Sequence, residues 1–188
     1  MRIFTGIRVS RDIREKISGV SKKLALKVRE ARIVSPENLH ITLKFIGETP
    51  ESRIVPIEEA LCGIARNFEP FDLEVKGLGG FPEGKKIRVL WAGACSGGIL
   101  KKINREIEEK LKFQGILPEN RFREHITLAR FKSAPSLSFV TGLIEAHEET
   151  SFGFMRVDRL ELIESRLTGK SPVYITLAEI PLVRHNNR

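Results

Sequence analysis

The amino-acid sequence predicts an α+β fold made of two related lobes around one core. Strand-like and helix-like segments alternate along the chain, which argues for a mixed architecture rather than an all-helical or all-strand one. The tetrapeptide His-Ile-Thr-Leu occurs twice, at residues 40–43 and 125–128, each time between two helix-patterned segments. A coarse internal duplication is the economical explanation. At 188 residues and 41% apolar content, the chain is long enough for one globular domain over residues 1–188 whose lobes share a core.

The opening MRIFTGIRVS alternates, with Ile3, Thr5, Ile7 and Val9 on one face and Arg2, Phe4, Gly6 and Arg8 on the other, as in a strand buried on one side. Ser10 is a capping residue. Beyond it Ile13, Ile17, Val20, Leu24 and Val28 recur at steps of three and four through residues 11–30, which predicts an amphipathic helix. A Ser35-Pro36 turn precedes the first His strand, ENLHITLKF at 37–45, and GETP at 47–50 closes it. A second helix carries Ile54, Ile57, Leu61, Ile64 and Phe68 on one stripe and ends before Pro70. FDLEVKGL at 71–78 and KIRVLWAGA at 86–94 read as a hairpin about the turn-rich GGFPEGK. In a third helix, over 99–113, Ile99, Ile103, Ile107 and Leu111 are spaced by four, with Gly115 placed as its C-terminal cap. The second His strand follows at 122–131, then a shorter helix near 136–149 and strands near 153–165 and 172–180. The closing RHNNR is polar and expected to fray.

A net charge of +8 and a pI near 9.7 favour a polyanionic partner such as nucleic acid, with plain solubility as the alternative reading. The first 20 residues hold five cations and no apolar core of a signal peptide, and the longest apolar runs are short. The expectation is therefore a soluble, cytoplasmic monomer with no membrane partner. Cys62 and Cys95 stand 33 positions apart without a Cys-x-x-Cys pair, as buried, reduced thiols would. The glycine pairs at 79–80 and 97–98 fit no phosphate-loop pattern, so they read as turn glycines and give no support to ATP-dependent ligation.

In a strand alternate side chains share a face, so His40 and Thr42 point one way while Ile41, Leu43 and Phe45 point the other; His125 and Thr127 are likewise opposed to Ile126 and Leu128. Packing accounts for the Ile and Leu of each copy. It does not account for His and Thr on the opposite face, and chance repetition after two of four histidines is about one in a thousand. Lobes related by a pseudo-twofold axis would bring the two polar faces together across a cleft. Two imidazoles there suit a reaction needing one base and one acid near neutral pH. Hydrolysis of a cyclic phosphodiester makes that demand: one group takes a proton from water, the other gives one to the departing ribose oxygen, and the threonine hydroxyls hold the phosphate oxygens. A zinc site is the competing chemistry. No Asp, Glu or Cys stands at ligand spacing beside either tetrapeptide, and Glu124 should face away from His125, so no metal ligand and no cofactor are assigned.

Lys44 is in phase with His40 and Thr42 and within reach of phosphate oxygens, or else an exposed strand charge. Phe4 shares a face with Arg2 and Arg8, as a base-stacking platform or as core. Trp91 reads as core or cleft wall, and His147 and His185 as solvated bystanders.

HITLKFIGE and HITLAR, with the opening MRIFTGIRV and the late LTGKSPVY, resemble the two-histidine phosphoesterases, and among them the RNA 2′,3′-cyclic phosphodiesterases long named 2′-5′ RNA ligases. The resemblance spans nearly the whole chain. It implies a bilobal fold in which two antiparallel sheets face each other across a central cleft with helices outside. It also implies metal-independent opening of a 3′-terminal 2′,3′-cyclic phosphate on RNA, tRNA fragments among the substrates, to a 2′-phosphomonoester. Carried over, His40 is the proton donor, His125 the acceptor of the water proton, and Thr42 and Thr127 the phosphate ligands. Arg130, at a basic position of the family motif, is implied to contact phosphate or ribose, although strict alternation turns it away from the cleft unless the strand bulges. Tyr174, in SPVY, is a candidate cleft residue by the same likeness. Two other functions remain open: ATP-independent 2′-5′ RNA ligation of tRNA halves, which is the reverse reaction with a 5′-hydroxyl in place of water, and a non-catalytic RNA-binding module.

Overall fold

A computed structural model describes residues 1–29, 31–83, 86–119, 121–131, 137–167, 169 and 172–184. Among them the chain runs β1 (Arg2–Arg8), α1 (Arg11–Lys27), β2 (Ala31–Ile33), β3 (His40–Glu48), α2 (Ile54–Ala65), β4 (Phe71–Glu83), β5 (Lys86–Cys95), α3 (Ile99–Lys112), β6 (His125–Phe131), α4 (Leu137–Ala146), β7 (Ser151–Val157), β8 (Arg159–Leu167) and β9 (Pro172–Pro181). The predicted α+β, two-lobed fold is the observed one.

Every strand pair is antiparallel, and the spatial order is β7-β4-β5-β6-β3-β1-β8-β9, with β2 paired to β6. Four strands lie on each side of the β6–β3 seam, so the two expected sheets are halves of one curled sheet joined at the His strands. The connections interlock the halves. After β3 and α2 the chain crosses to lay β4 beside β5, and after β7 it returns to lay β8 beside β1. Helices α1 and α4 back one half, against β7 and β4, while α2 and α3 back the other, against β9 and β3.

The helical faces follow the sequence pattern. Ile13, Ile17, Val20 and Leu24 of α1 are buried, as are Leu100, Ile103, Ile107 and Leu111 of α3. Gly115 ends that helix at φ +76°, with the Ile116 amide reaching back to the Leu111 carbonyl at 3.1 Å, the six-residue closure that only an αL residue permits cheaply. Ser10 occupies the N-cap of α1, but its side chain makes no capping bond.

Other expectations are corrected. The middle of β1 is buried on both faces, because β1 is flanked by β3 and β8 and one face is roofed by cleft aromatics. The run at 153–165 is two strands broken at Asp158, and α1 stops at Lys27 and α2 at Ala65, short of the extent that periodicity suggests. β2 had no pattern long enough to read. Neither cysteine is the buried thiol expected: Cys95 is exposed and Cys62 is half-buried. His185 and the RHNNR tail beyond Arg184 lie outside the described residues.

Gly79 and Gly80 are strand residues of β4, not turn residues. Gly79 pairs with Trp91, and a Cβ there would stand 2.1 Å from the indole ring. The missing side chain lets the indole lie flat across the strand. Replacing Gly79 by Ala should displace Trp91 and destabilise the protein by about 1–3 kcal/mol, the usual penalty for overpacking. Trp91 is the only tryptophan, so a shift in intrinsic fluorescence together with a lowered Tm checks this directly.

Candidate active site

The two His strands meet at one backbone pair, Ile41 opposite Ile126, running antiparallel. Both isoleucines are fully buried, which turns the flanking residues to the other face of the sheet. Outward from that pair, His40 and Thr127 lie on one side and Thr42 and His125 on the other. All four line a single cleft of about 560 Å³, together with Arg2, Phe45, Glu119, Arg130 and Tyr174.

Beyond each threonine the strand carries one extra residue. Against β1, Thr42 is opposite Gly6 and Lys44 opposite Thr5, so Leu43 is bulged out of the register; against β5, Thr127 is opposite Trp91 and Ala129 opposite Leu90, so Leu128 is bulged. A bulge reverses the alternation that follows it. Leu43 and Lys44 both turn inward, as do Leu128 and Ala129, and the next residues, Phe45 and Arg130, come round to the cleft.

This corrects two expectations, that Phe45 shares the core face of Ile41 and that Lys44 shares the cleft face of His40, and supplies the geometry another lacked. Lys44 does not reach the cleft: it is fully buried, and its Nζ donates to Glu108 Oε2 at 2.8 Å and to the Leu117 carbonyl at 2.9 Å. Arg130 does reach it, through the bulge that strict alternation omits. Phe4 is 2% exposed, its ring 4.7 Å from that of His40 and 5.2 Å from that of Tyr174, so it is a wall behind the imidazole and not an open stacking platform. Tyr174 lies in the cleft with its ring edge-on to His40 at 5.1 Å. His147 bonds the Leu143 carbonyl at the end of α4 and lines no part of the cleft.

The two imidazoles are held alike. His40 Nδ1 lies 2.7 Å from the Asn38 carbonyl and His125 Nδ1 2.7 Å from the Arg123 carbonyl, two residues back in each case. A carbonyl oxygen only accepts, so each Nδ1 carries the proton and each Nε2 is left for the cleft. Rings support them: Phe4 and Tyr174 against His40; Phe81 at 4.7 Å and Trp91 at 6.4 Å against His125. Arg123 in turn covers the Phe81 ring at 5.4 Å.

Burial lowers both histidine pKa values. For His40 desolvation outweighs the favourable Asn38 carbonyl, the charges of Arg8 and Arg130 add to it, and the value falls to about 4. His125 is lowered for the same reason, with Arg130 and Arg123 as the opposing charges. Desolvation raises the Tyr174 phenol, which therefore keeps its proton at neutral pH.

Sequence reasoning missed Phe45, Glu119 and Phe81. Phe45 had a usable signal, since aligning HITLKF with HITLAR sets it in the place of Arg130. Glu119 and Phe81 come from a loop and a neighbouring strand that only the fold brings close. Among the described residues no three His, Cys, Asp or Glu side chains cluster to hold a metal ion.

A cleft that opposes two imidazoles and two threonine hydroxyls beside an arginine is built for an anionic ester and for moving protons at it, which defines the class as phosphoesterase chemistry. The family model described as LigT-like phosphoesterase matches residues 7–91 and 96–174, and the chain belongs to that family. It is 37% identical over 174 residues to an RNA 2′,3′-cyclic phosphodiesterase of Archaeoglobus fulgidus, covering 93% of this chain and 96% of the relative. To the Aeropyrum pernix protein of the same name it is 40% identical over 151 residues, covering 79% and 85%. A crystal structure from Thermus thermophilus superposes with a TM-score of 0.81 at 29% identity, over 97% of this chain and 98% of that one. Escherichia coli LigT in its apo form, 24% identical, shares the fold with a TM-score of 0.71 over 97% and 98%.

The Lys44–Glu108 pair is buried on the inward side of β3, away from the cleft that Thr42 lines. Replacing Lys44 by Met strands a carboxylate whose side chain is only 12% exposed, and should cost about 3 kcal/mol in denaturant unfolding. Adding Glu108→Leu should restore much of that loss, because the removed charge no longer needs a partner.

Proposed function

We propose that the protein is a metal-independent RNA 2′,3′-cyclic phosphodiesterase. The observation that carries this reading is the matched pair of imidazoles, each with Nδ1 committed to a backbone carbonyl and Nε2 free in one cleft. Relatives at 30–40% identity bearing that name support the substrate class.

In the reaction, His125 Nε2 takes a proton from a water whose oxygen attacks phosphorus. The bond from phosphorus to the ribose 3′-oxygen breaks, and protonated His40 delivers its Nε2 proton to that oxygen. The products are a 2′-phosphomonoester and a 3′-hydroxyl. Thr42 and Thr127 donate to the non-bridging oxygens, and the Arg130 guanidinium balances the charge that gathers there. Two imidazoles suffice for both proton transfers. With a His40 pKa near 4 in the empty cleft, the phosphate anion must first draw a proton to that ring.

The test is an oligoribonucleotide ending in 2′,3′-cyclic phosphate, incubated with the protein in EDTA and read by phosphorus NMR. A 2′-phosphate should form, and His40→Ala and His125→Ala should each slow it by about 10²–10⁴ while RNA binding persists. Inhibition by the chelator, or RNA binding and turnover unaltered in both variants, would overturn the reading.

The pH dependence carries a sign. Activity in the free enzyme needs one neutral and one protonated imidazole, and both pKa values lie below 6.5. The singly protonated form is then scarce at neutral pH, and kcat/KM should fall about tenfold per unit as pH rises above 6.5. Bound phosphate stabilises the imidazolium, so the corresponding fall in kcat should begin at higher pH.

A further inference from the structure

Beside the catalytic cleft lies a second groove of about 430 Å³, and the two share Phe45, Gly47 and Glu119 as a common edge. Its volume falls within the range of small-molecule sites, roughly 300–1,000 Å³. Its far wall is the segment between α3 and β6. Leu117 there is 84% exposed and Phe45, on the edge shared with the cleft, is 46% exposed, so two large apolar groups that line the groove are open to water. Pro50 and Pro118 extend the apolar lining.

The wall is preformed. Lys44 Nζ holds the Leu117 carbonyl at 2.9 Å, Glu108 Oε2 accepts from the Glu119 amide at 3.2 Å, and Gln114 donates to the Pro56 carbonyl at 3.2 Å. Arg53, the one basic side chain among the described residues lining the groove, donates to the Gln114 carbonyl and is thereby anchored to this wall. With two carboxylates, Glu48 and Glu119, lining it against the single Arg53 cation, the groove has a charge balance that does not favour a phosphate. It suits a flat, neutral, partly apolar group that enters from the cleft.

A cyclic phosphate at an RNA end leaves its ribose joined through the 5′-oxygen to the next nucleotide, which must pass out of the cleft somewhere. We propose that the groove between Phe45 and Leu117 receives the nucleoside 5′ to the terminal one, so that the enzyme prefers an oligoribonucleotide end to a cyclic mononucleotide. This rests on the phosphodiesterase reading above. A second route out of the cleft, among the described residues, runs past Leu167 of β8, which lines the cleft and is 76% exposed.

The experiment compares kcat/KM for adenosine 2′,3′-cyclic phosphate and for the diadenosine dinucleotide ending in the same group, in wild type, Leu117→Ser and Leu167→Ser. Wild type should favour the dinucleotide by about tenfold, a ratio in keeping with one base contact. Leu117→Ser should cut that advantage severalfold while Leu167→Ser leaves it in place. The advantage should also survive added salt, since an apolar contact releases no counterions. Equal rates on the two substrates in wild type, or an advantage lost only in Leu167→Ser, would overturn the groove assignment alone. Failure to open either substrate would overturn the phosphodiesterase reading and the groove's role with it.

Discussion

The pairing of Ile41 with Ile126 fixes everything in the cleft. A slip of one residue in either strand would turn His and Thr into the helices and Ile and Leu into water, because side chains on a strand alternate with a period of two. Four fully or nearly fully buried side chains, Ile41, Leu43, Ile126 and Leu128, resist that slip. The polar face is thus held in register by the apolar one. The chain path reinforces this, because it crosses the seam between β3 and β4 and again between β7 and β8, so the two halves are tied together on both passages.

Simple alternation was enough to place the four central residues, His40, Thr42, His125 and Thr127, and it failed at the next position in both copies for one reason. A bulge inserts a residue without a signature in composition, so Lys44 was expected in the cleft and lies behind it, while strict alternation turned Arg130 away from the cleft that the family likeness assigned it to, and the bulge turns it in. The repeat itself held the missing information: two copies of one backbone share their irregularities, and a basic residue placed in the cleft in one copy implies the same for Phe45 in the other. Phe4 and Gly79 illustrate a different limit. Whether an apolar ring on a strand is open or covered, and whether a glycine marks a turn or a close approach, depends on neighbours far away in sequence, here His40, Tyr174 and Trp91.

The aromatic surround of each imidazole has an electrostatic consequence. Rings exclude water from all but the cleft edge of the histidines, and removal of solvent disfavours the charged form. Nearby Arg8, Arg123 and Arg130 act in the same direction. Burial and these charges therefore bias both imidazoles of the empty cleft toward the neutral form. Under the proposed mechanism an incoming anion would supply the potential that makes one of them an acid, which would couple proton loading to the arrival of the ester.

A symmetric scaffold acting on an asymmetric substrate needs something to break the symmetry, and the residues after the bulges do so. Phe45 and Arg130 occupy equivalent backbone positions, one apolar and aromatic, the other a permanent cation. An RNA end has the same polarity, with its charge at the phosphate and its flat apolar surface at the bases. Under the proposed function, matching the two would set the phosphate toward Arg130 and the chain toward Phe45, and so orient the ribose between the imidazoles. Lys44 and Ala129, the paired residues just before them, are equally unlike: the lysine reaches through to Glu108 and the Leu117 carbonyl, whereas the alanine holds nothing. The wall beyond Phe45 is thereby fastened to the catalytic strand itself. On that proposal, orientation of the substrate and placement of the proton donor would both follow from a single strand.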